Sequence, residues 1–243
     1  MAMSASSHGP SAWEGFWRDA PAGEGEVFWD AAPSLAVARH LPFFAEHFDP
    51  ALPVIDLGCG NGTQTRFLAE RFPRAIGVDV SASAIDRARR EDPARVAEYR
   101  QVDAADAEQV TALHEDVGEA NVYVRGVLHQ CAPEDRPRIV ANIARLLGSR
   151  GRAFLVELAE DAKNVLMSLV QRPDGPPPKV RAIFSHGIAP AEMPDSAIPD
   201  LLAAHGLETA ASGRLPLITT ETRADGTRVE VPTNWLLARP RGA

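Results

Sequence analysis

Val54-Ile55-Asp56-Leu57-Gly58-Cys59-Gly60-Asn61-Gly62 is the stretch whose reading decides the fold. The apolar residues Val54, Ile55 and Leu57 lead into a glycine-rich turn, and a helix-like segment starts near Thr63. A second apolar run (Ala75, Ile76, Val78) ends in Asp79, about twenty positions after Gly58. The pattern is a strand, turn, helix, strand unit with a carboxylate at the tip of the second strand. Such a unit holds a nucleoside. Its glycines admit a ligand where a Cβ would collide, and its acid accepts hydrogen bonds from ribose hydroxyls.

The glycine spacing narrows the choice of nucleoside. Dinucleotide sites use G-x-G-x-x-G, which seats pyrophosphate on a helix N-terminus. Here Gly58, Gly60 and Gly62 give G-x-G-x-G, with Asp56 two positions before the first glycine. A carboxylate there repels pyrophosphate and attracts an ammonium or sulfonium group. At these residues the chain resembles the class I S-adenosylmethionine-dependent methyltransferases of small-molecule type. Their first motif is similar to Ile55–Gly62 and their second to Gly77-Val78-Asp79-Val80-Ser81. The resemblance covers about 53–158, is topological for the C-terminus, and is absent from 1–50 and 159–194.

The residues on either side extend the alternation. Strands are expected at 53–57, 75–79, 96–102, 121–125 and 152–158, with helices at 63–72, 82–91, 106–116 and from Pro133 to Leu147. This predicts an α/β, Rossmann-like doubly wound sheet. Two further strands, 207–219 and 229–238, flank Ala224-Asp225-Gly226-Thr227, a hairpin signal. With them the resemblance implies seven strands, mostly parallel, with an antiparallel C-terminal hairpin. Residues 1–11 are small and polar and are expected to be disordered. Residues 12–50 carry Trp13, Phe16, Trp17, Phe28 and Trp29, expected as a helical cap that either covers the site or packs on the sheet edge. The methyltransferase domain is expected over 51–243. Within it, the proline-rich segment 159–194 reads as a lid-like insertion with a helix at 162–171, or as a surface loop.

Composition bounds the partners. The 243 residues carry a net charge of −8, which argues against nucleic acid, since a phosphate backbone requires a basic track. The short Arg87-Arg89-Arg90 run reads as a solvated helix face. Cys59 and Cys131 have neither disulfide nor metal spacing, so no metal is expected. The N-terminus lacks an apolar leader and no run reaches membrane-spanning length, so the expected location is cytoplasmic and no membrane partner is expected.

The resemblance distributes roles along the strand ends. It implies that Gly58, Cys59, Gly60 and Gly62 meet the methionyl part and ribose of S-adenosylmethionine through backbone. Asp56 orients the amino group or caps the turn, Asp79 takes the ribose hydroxyls, and Val80 lies against the adenine. Asp103 and Ala104 lie near the adenine amino group, with Asp106 as a helix cap, although Asp103 could instead be the cap. Arg125 and Gly126 lie below the methionyl group. His129 is the candidate catalytic base or a packing histidine, since imidazole titrates near neutrality. Trp17, Trp29 and His186 are candidate acceptor-pocket residues, and Glu157 is an acid that faces the acceptor or is satisfied at its strand end. The implied function is methyl transfer to a small, partly apolar O- or N-acceptor. A fold that binds the same cofactor without transfer (a cyclase, scaffold or regulatory subunit) is the alternative. Oligomeric state is not legible.

Overall fold

The computed structural model describes residues 9–23, 25–223 and 225–242. Five parallel strands form its centre: β1 (Val54–Leu57), β2 (Ala75–Asp79), β3 (Glu98–Gln101), β4 (Asn121–Arg125) and β5 (Ala153–Leu158). The crossovers are α3 (Thr63–Ala69), α4 (Ala82–Glu91), α5 (Ala107–Val117) and α6 (Arg136–Leu147), preceded by α1 (Pro10–Asp19) and α2 (Val37–Phe44). Beyond β5 come α7 (Ala162–Val170), α8 (Pro178–Ser185), α9 (Ala197–Ala204), β6 (Leu207–Arg214), β7 (Leu217–Thr222), β8 (Arg228–Val231) and β9 (Thr233–Pro240).

The 7-stranded sheet has the order β3-β2-β1-β4-β5-β9-β6, and β9 runs antiparallel to both of its neighbours. The order reverses beside β1, so the loops after β1 and β4 diverge and leave a crevice at the carboxyl ends of the strands. Alternation within β1 assigns its side chains to two layers. Ile55 and Leu57 pack with Ile139, Val140 and Ile143 of α6, while Val54 packs with Phe44 of α2 and Leu68 of α3. Both faces are covered, as a parallel sheet requires. Asp56 shares the face of Val54, which brings it to α3.

A separate apolar cluster forms above the carboxyl edge of the sheet. Phe16 and Trp17 of α1, Phe28, Leu169 of α7, Val180 and Ile183 of α8, and Val229 and Val231 of β8 pack together there. The regions 12–50 and 159–194, which lack family motifs, thus meet in one roof. Glu14 fastens α1 to the start of α4: its carboxylate accepts from Ser81 Oγ (2.7 Å), Ser83 Oγ (2.6 Å) and the Ser83 backbone N–H (3.1 Å). An acid at a helix N-terminus also meets the positive end of the helix dipole.

Several expectations are refined. The tail expected at 1–11 lies outside the described residues for 1–8, and α1 already begins at Pro10. The third strand is confined to 98–101, because Asp92 accepts from the backbone N–H groups of Val96 and Ala97 and holds that approach as a turn. The Asp225-Gly226 turn joins β7 to β8 in a 2-stranded sheet of their own, and the sheet strands are β6 and β9. Arg87, expected in solvent, is buried with its Nε 2.7 Å from Glu91, because its side chain passes beneath residues 17–23.

Candidate active site

A cavity of about 500 Å³ opens between the strand ends and the aromatic roof. Its floor comprises Asp56–Gly60, Val78–Val80, Val102–Asp106 and Arg125–Val127, which are the carboxyl ends of β1 to β4. Sequence spacing on four strands therefore converges on one place, as the switch-point rule requires. Gly58, Cys59, Gly60, Asp56, Asp79, Val80, Asp103, Ala104, Arg125, Gly126, Trp17, Trp29 and His129 all line it. Gly62 and His186 are not among the lining residues.

The glycine loop requires its glycines. Gly60 has a φ of 54°, and a Cβ built on it comes 2.6 Å from Trp17 Cζ2. Gly62 at φ 74° starts α3 and backs onto Tyr99. The Cys59 side chain packs with Ile85, Ala88 and Tyr99, and burial pushes its thiol far above the ordinary range, so it is unreactive filler.

The acids on this floor are held individually. Asp79 accepts the Gly60 N–H at Oδ2 and the Ser81 N–H at Oδ1, both at 2.9 Å, which ties the tip of β2 to the glycine loop. Asp56 Oδ2 accepts from Thr65 Oγ1 at 2.6 Å. Burial pushes each of these two carboxyls up to about 6. Asp106 caps α5 by accepting the N–H groups of Glu108 and Gln109. Asp103 accepts the Ala105 N–H at 2.9 Å. Arg125 extends toward the N-terminal segment and donates to the Trp29 carbonyl at 3.1 Å.

His129 sits on a 3₁₀ turn, Leu128–Gln130, and is buried. Its Nδ1 lies 2.5 Å from Glu157 Oε2, and its Nε2 lies 3.0 Å from the Gln130 amide nitrogen. The same Glu157 carboxylate accepts the backbone N–H groups of Val127, Leu128 and His129. Glu157 thus points away from the cavity and under the loop, a satisfied strand-end acid. With Nδ1–H donated to a carboxylate, the imidazole keeps a lone pair on Nε2. His186 caps α8, where its ring stands edge-on to Phe16 at 6.0 Å and its Nε2 is 3.7 Å from Asp19 Oδ2. It braces the outer side of α1, and the expected pocket role is set aside because α8 turns it to that side.

Sequence reasoning overlooked Asp30, which lines the cavity and accepts from Asn61 Nδ2 at 2.6 Å. It also overlooked Glu14 and Thr65. Each acts on a residue distant in the chain, and none has a local motif.

The floor fits S-adenosylmethionine by its chemistry. Buried carboxylates at Asp56 and Asp79 line the floor, a charge that complements a ligand carrying sulfonium and ammonium groups, and the aromatic end of the cavity is apolar. A family model described as a methyltransferase domain matches residues 54–151. The crystal structure of an S-adenosylmethionine-dependent methyltransferase from Anabaena variabilis is 33% identical, with a TM-score of 0.88 over 96% of this chain and 95% of that one. An N-demethylindolmycin N-methyltransferase of Streptomyces griseus is 39% identical over 75 residues, 30% of this chain and 32% of that protein. A trans-aconitate 2-methyltransferase of Methylobacterium nodulans is 28% identical over 158 residues, 62% of this chain and 57% of that protein. The chain therefore aligns with less than two thirds of the length of either curated relative. Matched along nearly its whole length by the Anabaena structure, the chain belongs to the S-adenosylmethionine-dependent methyltransferases, and its cofactor is S-adenosylmethionine.

Proposed function

We propose that this protein transfers a methyl group to a hydroxyl or amine of a small, partly apolar molecule. The observation that carries the reading is the continuity of the cavity. One space runs from the glycine loop past His129 to Trp13, Trp29, Leu166 and Ile183. A cofactor at the floor and an acceptor under the roof would lie in line, and alignment supplies much of the rate in such a displacement.

The cofactor supplies an activated methyl on a sulfonium, so the chain's own residues have to bind, orient and exclude water. We assign Asp79 to the ribose hydroxyls, since each of its oxygens retains a free lone pair. Asp56 and the Gly126 carbonyl are assigned to the methionyl ammonium. Gly58, Cys59, Gly60 and Gly62 shape the loop that meets the methionyl part and ribose, Gly62 from behind it. Val80, Asp103 and Ala104 are assigned to the adenine. Trp17 and Trp29 wall the acceptor. His129 Nε2 takes the proton of an acceptor that displaces the Gln130 amide, with Glu157 holding the imidazole by Nδ1. The two curated relatives differ in acceptor, N-demethylindolmycin for one and trans-aconitate for the other, so they do not fix the acceptor of this chain.

Calorimetry with S-adenosylmethionine and S-adenosylhomocysteine, using Asp79→Ala as control, tests the cofactor site. Release of S-adenosylhomocysteine in the presence of small acceptors tests transfer. Tight cofactor binding with no release across a broad acceptor set would overturn the transfer reading.

A further inference from the structure

Two arginines line the cavity, and they stand differently. Arg138 is exposed and lies 3.3 Å from Asp135. Arg125 is half-buried at the carboxyl end of β4. Asp56 pairs with Tyr123 across β1 and β4, and Arg125 is two residues beyond Tyr123, so Arg125 and Asp56 leave the same face of the sheet. Arg125 Nη1 donates to the Trp29 carbonyl at 3.1 Å, which fixes the guanidinium against the N-terminal segment. Its Nε and Nη2 have no partner among the described residues, and neither is sealed from solvent. The Nε–Nη2 edge of Arg125 is therefore open, on a side chain that borders the cavity.

That edge is the one this fold uses elsewhere to hold carboxylates. Arg74 takes Glu98 through Nε at 2.6 Å and Nη2 at 2.9 Å, and Arg150 takes Asp49 through Nε at 3.1 Å and Nη2 at 2.6 Å. Such two-bond pairs are stronger and more directional than a bond to a neutral carbonyl. The acids nearest in charge to Arg125 are committed to other donors, Asp30 to Asn61 Nδ2 and Asp56 to Thr65 Oγ1. Burial raises both carboxyls, and the Arg125 charge is among the influences that draw them back down. One neutral hydrogen bond leaves the charge of a half-buried guanidinium without a counter-ion, and a bound carboxylate would supply it.

We infer that Arg125 is a carboxylate clamp inside the cavity, closing its Nε–Nη2 edge on a carboxylate of a bound small molecule. Two molecules can bring that group: the cofactor, on its methionyl part, and an acidic acceptor. The inference rests on the reading of the cavity as a joint cofactor and acceptor site, and binding alone measures it, without methyl transfer. In the first arm, calorimetry compares S-adenosylhomocysteine with its decarboxylated analogue on the full chain and on Arg125→Gln. In the second arm, 2-naphthoate is compared with 2-naphthalenemethanol on the same two proteins saturated with S-adenosylhomocysteine. Arg125→Gln is expected to weaken the carboxylate-bearing ligand of one arm at least tenfold and its carboxylate-free partner less than twofold. The arm that shows the difference names the source of the carboxylate. Arg125→Lys keeps the charge but not the fork, and is expected to recover only a small part of the loss. A purely structural role, holding the N-terminal segment through Trp29, would weaken both members of a pair equally. Equal changes within both pairs, or no change in either, overturn the inference. If the difference appears while no methyl group moves to any acceptor, the clamp stands and the transfer reading falls.

Discussion

The Glu157 carboxylate lies 2.5 Å from His129 Nδ1 and also accepts the backbone N–H groups of Val127, Leu128 and His129. One buried acid at the end of β5 therefore sets both the path of the loop after β4 and the orientation of its imidazole. A buried donor left unsatisfied costs about 1–3 kcal/mol, and breaking a buried charged network costs about 3–5 kcal/mol. Glu157→Ala is expected to lose about 3 kcal/mol in urea unfolding. If Glu157 positions His129 in the proposed role, Glu157→Gln lowers kcat far more than it changes cofactor affinity. An unchanged kcat would reduce Glu157 to a scaffold.

Trp17 and Gly60 are mutually exclusive with a larger loop residue. A Cβ at position 60 falls 2.6 Å from Trp17 Cζ2, at a φ of 54°. Gly60→Ala therefore combines about 1–2 kcal/mol of left-handed backbone strain with displacement of the roof. Cofactor affinity is expected to fall at least about tenfold, which corresponds to about 1.4 kcal/mol. Removing the obstructing ring in Gly60→Ala/Trp17→Ala should recover part of it, and calorimetry on the two variants decides.

Glu14 should govern how long the roof stays closed. Its carboxylate is held below the usual range by hydrogen bonds from Ser83 and Ser81. Glu14→Ala removes those bonds, and Glu14 is itself not among the residues that line the cavity. Loss of a net contribution of about 1–1.5 kcal/mol should accelerate cofactor release about fivefold to tenfold and raise amide exchange across α1. Stopped-flow displacement of S-adenosylhomocysteine reads the first effect and hydrogen exchange the second. An unchanged release rate would show that α1 is not a gate.

Acidification should act oppositely on folding and on cofactor affinity. Burial pushes Asp56 and Asp79 from 3.8 up to about 6 in the fold. Their folded-state values are raised, so the folded chain binds protons more readily than the unfolded chain. Their contribution to stability is full below the unfolded value and is lost as pH rises through about 6. A sulfonium ligand prefers the ionised carboxylates, so its affinity falls on acidification. For one group with that pKa, the fall from about pH 7 to about pH 5 is roughly tenfold. Calorimetry at the two pH values checks this, with Asp79→Asn expected to flatten the response.

By itself the sequence determined the floor of the site. Gly58, Gly60 and Gly62 specify a tight turn, apolar runs specify buried parallel strands, and Asp79 falls at a strand tip, because these signals act within one turn or one strand. The cap of α5 by Asp106 was legible for the same reason. The tertiary structure alone decided the roof and the orientation of the chemistry. Trp17 meets Gly60, Glu14 meets Ser83, Glu157 meets His129 and Asp30 meets Asn61 across long stretches of chain. His186 packs against Phe16 of α1 and is not among the cavity-lining residues, although its residue type suited a pocket. The C-terminal strands divided where Pro216 follows β6, since proline offers no N–H to continue the ladder and the chain leaves the sheet to form β7 and β8. Local periodicity fixes which face of an element is buried. Which distant face it meets depends on chain closure and packing of the whole fold, and that information is not held in any short segment.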